Sequence, residues 1–322
     1  TWGVLDRLLE EASFRFEGVS GSSAGAVNAV VLASGWLEGG ATGARQALRD
    51  LWHDVAALSS MSPLRAAGVS QFAADFATQL LSPYQLNPLG LNPLRAILER
   101  LVDFERLRRE RTIRIFVAAT NLRTSTARIF ENPELSNDAV LASACLPQLH
   151  RAVEIDGDAY WDGGFVTNPP LLPLVERCRA RDLLLIRINP LEVLELPRTA
   201  RQIRNRIGEI VFGRPLATEL EQLAAAARSA RFPLAWIDRR SHRLARHRLH
   251  LIDGAAELGR LDPGTKTDPD WRTLQNLHDL GRVAADAWLR QVLDGSGGLA
   301  ANRYFARSRA TWRIAASKWS SA

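Results

Sequence analysis

Gly18-Val19-Ser20-Gly21-Ser22-Ser23-Ala24-Gly25-Ala26-Val27-Asn28-Ala29-Val30-Val31-Leu32 reads as a strand end, a sharp turn and the first turns of a helix. Phe14-Arg15-Phe16-Glu17-Gly18-Val19 has the aromatic and β-branched content of a short strand, and 24–34 is a small-residue apolar helix that Gly35 stops. Between them Gly21-Ser22-Ser23-Ala24-Gly25 has the G-x-S-x-G spacing of a nucleophile elbow. In such a turn the serine takes strained backbone angles that lift its hydroxyl clear of the sheet, and flanking residues without bulk let two backbones pass closely. Ser23 is therefore the candidate nucleophile, with Gly21 and Gly25 as supporting glycines. The backbone N–H of Ala24 and the positive end of the helix dipole face the oxyanion that forms when a serine attacks an ester carbonyl. A Gly/Ser-rich turn without chemistry fits the same five residues; the strand before it and the helix after it favour the elbow.

A chain of 322 residues buries a large core, enough for one catalytic domain with additions. The net charge is +6, and Lys266 and Lys318 are the only lysines, so the positive charge is almost entirely arginine. Arginine forks suit phosphate and carboxylate, which makes anionic lipid, acidic protein or nucleic acid conceivable partners, although an arginine-preferring genome explains the bias without any partner. Two cysteines, Cys145 and Cys178, exclude a disulfide framework and a four-cysteine zinc site, and point to a reducing, cytoplasmic compartment. No run of about 18 apolar residues is long enough to span a bilayer. Residues 1–11 read as the body of an amphipathic helix with Val4, Leu5, Leu8 and Leu9 on one face and no capping residue ahead of it, which suggests further residues upstream.

Beyond the elbow helix, 39–43 is a glycine break and 44–58 a helix. Residues 59–98 are apolar and rich in proline, and Pro83, Pro88 and Pro93 forbid one continuous helix. Such a segment suits a cap over an acyl pocket or a face that meets lipid, or a loop packed on the core. Strands are expected at 111–120, 126–130, 153–155, 159–161 and 183–188, with a helix at 137–145 and the turn Asp156-Gly157-Asp158 closing a hairpin. Asn168 followed by Pro169 and Pro170 reads as a helix start, cap first and proline in the first turn. The alternation of strands and helices indicates a three-layer α/β sandwich with a central, mostly parallel sheet in residues 1–190. Residues 191–294 read as a mainly helical extension, broken near 213–215, with a strand at 248–252 and a long helix at 270–293. Gly295-Ser296-Gly297-Gly298 opens a basic, aromatic tail over 295–322, suited to a membrane surface, a partner or its own domain.

A serine hydroxyl needs a base. The histidines, His53, His150, His242, His247, His250 and His278, lie in no setting that marks one of them, and His242 and His247 sit in an arginine run that disfavours an imidazolium. The carboxylate in Tyr160-Trp161-Asp162-Gly163-Gly164 is the better candidate. Aromatic neighbours desolvate it and raise its basicity, and Gly163 and Gly164 allow another backbone close by; a plain D-G-G turn is the alternative.

Taken together, Gly-Ser-Ser-Ala-Gly at 21–25 with Asn28, Ala142-Ser143-Ala144-Cys145-Leu146-Pro147, and Tyr160-Trp161-Asp162-Gly163-Gly164 leading to Asn168-Pro169 resemble the patatin-like phospholipases and acyl hydrolases over about residues 1–190, with the extension seen in one bacterial branch. The resemblance implies a Ser23–Asp162 dyad without histidine, no metal and no cofactor, hydrolysing lipid acyl esters through an acyl-enzyme. A glycine-rich oxyanion loop ahead of the first helix belongs to the family pattern; here it lies upstream of Thr1 or is missing, and His150 stands where the family carries a bulky apolar residue. The expected partners are a lipid or acyl ester substrate and a membrane surface met peripherally, with nucleic acid disfavoured and an oligomer open. Two other readings stay open: a non-catalytic lipid- or partner-binding module on the same fold, and an α/β-hydrolase with a Ser-His-Asp triad.

Overall fold

The computed structural model describes residues 1–60, 82–87, 90–188, 193, 196–229, 247–254 and 270–293. The chain opens with helix α1 (Trp2–Leu8), strand β1 (Gly18–Gly21) and the long helix α2 (Ala24–Ser60). Helices α3 (Pro83–Leu86), α4 (Pro93–Leu101) and α5 (Phe104–Arg109) lead to strands β2 (Arg114–Asn121) and β3 (Ala127–Phe130). Helix α6 (Asn137–Ser143) precedes the hairpin β4 (Val153–Ile155) and β5 (Asp158–Asp162), then come α7 (Leu172–Arg177) and β6 (Asp182–Arg187). The remainder is α8 (Ala200–Ser229), β7 (Arg248–Asp253) and α9 (Trp271–Leu293). The fold is α/β, as expected. Its central sheet is mixed: β1 runs parallel to β2, while β3 and β5 lie antiparallel to β2 and β4 antiparallel to β5. The short β2–β3 and β4–β5 links leave no room for a crossover, so those neighbours are antiparallel.

β2 is the keel, with every residue after Arg114 buried. Its amides alternate between two edges: Arg114 N–H donates to Glu17 and Leu122 N–H to Ala159, whereas Asn121 N–H donates to Thr126. Thus β1 and β5 share one edge of β2 end to end, and β3 takes the other. Gly21 pairs with Val117 and Asp162 with Ala119, so the two strand ends meet. Ile115, Val117 and Ala119 of β2 bury against Val30, Leu48 and Leu51 of α2 and Leu141 of α6. Each large side chain so enclosed contributes roughly 1.5–3 kcal/mol of transfer free energy.

Several sequence expectations need correction. β1 begins at Gly18 rather than at Phe14; Glu17 instead turns its carboxylate onto the N–H groups of Arg179 and Ala180, and Phe16 packs edge-on against Trp36 at 4.9 Å. Gly35 does not stop the elbow helix. The break falls at Gly39 and Gly40, where Gly40 has φ +60°, and a Cβ on Gly35 would lie 2.6 Å from the carbonyl oxygen of Gly43. Gly35 and Gly43 thus let the two arms of the kinked helix touch backbone to backbone. Asn168 does not cap a helix: the residue before a proline is disfavoured in helical angles, α7 starts only at Leu172, and the Asn168 side chain donates to the carbonyl of Phe212 at 3.0 Å. Nor is 213–215 a break, since α8 runs through with Pro215 inside it.

The region beyond 190 is woven into the rest. β7 pairs in parallel with β6, and Leu171, Leu185, Leu216 and Leu249 bury one cluster across α7, β6, α8 and β7. α9 lies on α1 so closely that a Cβ on Gly3 would overlap the backbone of His278. Asp6, 7% exposed, binds Arg45 of α2 at 2.7 Å and both His278 (3.2 Å) and Arg282 of α9. These partners hold its carboxyl well below the usual range despite burial, so its stabilising contribution is complete above about pH 4 and is lost only in strong acid. Residues 61–81 and 88–89 of the expected cap, the linker at 295–298 and the basic tail to 322 lie outside the described residues.

Candidate active site

Ser23 sits at the turn between β1 and α2 with φ +56°, a left-handed conformation rare for a residue with a side chain. Two features keep it there. A Cβ on Gly21 would fall 2.3 Å from the backbone of Gly25, so only glycine permits this approach, and the N–H of Ser23 donates to both the carbonyl (3.0 Å) and the hydroxyl (3.2 Å) of Ser143. Among the described residues nothing lies within 4 Å of where a Cβ on Gly25 would stand, so none of them demands its missing side chain. Ala24 is exposed and is the first residue of α2, and its N–H therefore has no intrahelical acceptor.

Asp162 ends β5 and is fully buried. Its N–H donates to the Cys145 carbonyl at 2.9 Å, its carbonyl accepts the Thr120 hydroxyl at 2.8 Å, and its Oδ1 accepts the Gly164 N–H at 2.7 Å. Oδ2 is buried, and among the described residues it has no hydrogen-bond partner at ordinary geometry. Burial pushes the carboxyl above its ordinary pKa, and the neighbouring Ser23 hydroxyl and the Gly164 N–H hold it down in part. The structure thus brings Ser23 and Asp162 together. Both are tied to the end of one helix, Ser23 through Ser143 and Asp162 through Cys145. A Cβ on Gly163 would overlap the Ala118 carbonyl, and one on Gly164 would meet the Phe212 ring at 2.4 Å, so both glycines answer to close neighbours.

No histidine is among the groups that set the titration of Asp162. His53 lies by Asp54, His250 bonds Asp182 at 2.8 Å and His278 bonds Asp6, while burial lowers the pKa of His150, and His242 is outside the described residues. Among the described residues no cluster of three or more His, Cys, Asp or Glu side chains could hold a metal ion.

The sequence does not announce the anchors of the two residues. Ser143 and Cys145 stood out only as part of a small-residue motif. Ser22 and Thr167 carried no signal, yet the Ser22 hydroxyl donates to the Thr167 carbonyl at 2.6 Å and the Thr167 N–H donates to the Gly163 carbonyl at 3.0 Å. From α8, Phe212 covers Gly164 and packs on Phe165 at 4.9 Å. A groove of about 650 Å³ runs between α8 and the turn after Asp162, lined by Phe165, Val166, Thr167, Val211 and Pro215 among others; neither Ser23 nor Asp162 lines it.

The turn between β1 and α2 thus places Ser23 near the buried carboxylate of Asp162 on an α/β sheet. A sequence model described as patatin-like phospholipase matches residues 1–175, more than half of the chain. The chain belongs to the patatin-like phospholipase family, and lipid acyl hydrolysis is the activity which that family supports. No curated protein matches the chain. Among the described residues no helix is long and apolar enough to cross a membrane.

Proposed function

We propose that the protein hydrolyses lipid acyl esters, with Ser23 as nucleophile and Asp162 as the base. The observation that carries this reading is the Ser23 hydroxyl standing against the fully buried carboxylate of Asp162. Oδ2 takes the Ser23 proton as Oγ attacks the ester carbonyl, and the N–H of Ala24 faces the resulting oxyanion. The tetrahedral species collapses, the proton passes from Asp162 to the leaving alcohol, and the acyl group stays on Ser23. Water then gives a proton to Asp162 and attacks the acyl carbon; collapse returns that proton to Ser23 and frees the fatty acid. Asp162 ends ionised, as it began, and Gly164 N–H on Oδ1 keeps the carboxylate oriented through both half-reactions.

The Ser23 backbone supports this role because its left-handed conformation is held from two sides. On α8, Ile203, Ile207 and Ile210 recur at helical spacing and are exposed, with Arg204 and Arg214 exposed as well, which supports peripheral contact with a lipid surface. The test is fatty acid release by the purified protein from short- and long-chain acyl esters and from phospholipid, with and without liposomes. Release is the expected outcome, and its absence from every substrate sinks the reading.

A further inference from the structure

The region matched to the family ends at residue 175, yet a side chain well beyond it reaches the turn that joins the two members of the dyad. Glu219, on α8, accepts the Thr167 hydroxyl with Oε1 and the N–H groups of Leu171 (2.7 Å) and Leu172 (3.1 Å) with Oε2. Thr167 is 5% exposed and uses each of its polar groups. Its N–H holds the Gly163 carbonyl, next to Asp162, and its carbonyl holds the Ser22 hydroxyl, next to Ser23. One residue thereby spans both halves of the candidate dyad, and Glu219 grips it by the third group. The contact is expensive to make. Burial raises the Glu219 pKa above the usual carboxylate value, and the three hydrogen bonds only partly offset this. A capping role alone needs only the Leu171 and Leu172 amides.

Resting on the reading of Ser23 and Asp162 as the working pair, we infer that Glu219 is a positioning residue: through Thr167 it fixes the elbow and the Asp162 turn at their reacting separation. Catalytic geometry is then completed by the extension, not by the matched region alone. The effect is on the transition state. A displacement of about 1 Å in such a pair costs on the order of 100-fold in rate, while substrate binding, made elsewhere, is unaffected.

The test compares Glu219→Ala, Glu219→Gln and Thr167→Val in the full chain, reading kcat and KM on an acyl ester and the rate of fluorophosphonate labelling at Ser23. Glu219→Ala is expected to lower kcat and the labelling rate by about 10–100-fold with KM within about twofold. Glu219→Gln keeps an acceptor for the two amides and a polar group for Thr167, and is expected to restore both rates to within about threefold. Thr167→Val severs only the hydroxyl link, keeps both backbone bonds, and is expected to slow labelling as well; it carries the test if Glu219→Ala fails to fold. A folded Glu219→Ala or Thr167→Val protein with wild-type kcat and labelling overturns the inference and leaves the dyad standing. A wild type that neither labels at Ser23 nor turns over ester overturns the dyad, and the inference with it.

Discussion

Ser23→Ala is expected to remove ester turnover entirely at assay sensitivity, a loss of about 10⁴–10⁶-fold in kcat, with the fold intact. Loss on this scale follows because no acyl-enzyme can form without the Oγ, leaving only binding and the Ala24 amide to assist water. The fold survives because the elbow is fixed without the Ser23 hydroxyl, by the Ser23 N–H on Ser143 and by the Gly21–Gly25 contact. A companion, Ser23→Gly, relieves the left-handed strain at φ +56° and is expected to be equally inactive and to melt at a higher temperature. Turnover by either variant at even a tenth of the wild-type rate, on a preparation free of other esterases, is incompatible with Ser23 as nucleophile.

Asp162→Asn is expected to cost about 10⁴-fold in kcat and at the same time to raise stability at neutral pH. The amide keeps an acceptor for the Gly164 N–H at Oδ1 but cannot take a proton from Ser23. It also removes a fully buried charge, which burial disfavours. The sign of the pH dependence follows from the raised pKa. Between the unfolded value, about 4, and the higher folded value, the native state holds a proton that the unfolded state has lost. Wild-type stability attributable to this group therefore falls as pH rises through the window, and the Tm advantage of Asp162→Asn grows over the same range. Activity runs the opposite way: kcat/KM requires ionised Asp162, so its acidic limb lies above the ordinary carboxylate range. Calorimetry and a pH–rate profile on the two proteins check both halves, and an acidic limb at about pH 4 or a variant that melts lower at neutral pH contradicts them.

What could be read from the sequence was local. The elbow is specified within five residues, because Gly21 must admit a backbone and Ser23 must take a positive φ. The hairpin that delivers Asp162 is likewise announced by Asp156 and Gly157, both with positive φ, at +54° and +83°. Errors arose where a local signal had a distant cause. Gly35 looked like a helix stop but serves the touching arms of α2, and Asn168 looked like a cap but is spent on the Phe212 carbonyl. Pro215 looked like a break, yet α8 continues and there presents Phe212 and Glu219 to the Asp162 turn. Ser143, Cys145 and Thr167 act mainly through main-chain atoms, whose bonding no side-chain pattern announces. Glu219 stands 52 residues from Thr167, and no periodicity relates them.

Covalent labelling with a fluorophosphonate, read by peptide mass spectrometry, is the sharpest single measurement. The probe forms its adduct only with a serine that a base has activated, and it needs no knowledge of head group or chain length. A single phosphonyl adduct on Ser23, lost in Asp162→Asn and untouched by replacement of His53, His150, His242, His247, His250 or His278, is the expected result. An unlabelled Ser23 in the active protein, or labelling that vanishes with one of those histidines, contradicts the Ser23–Asp162 dyad.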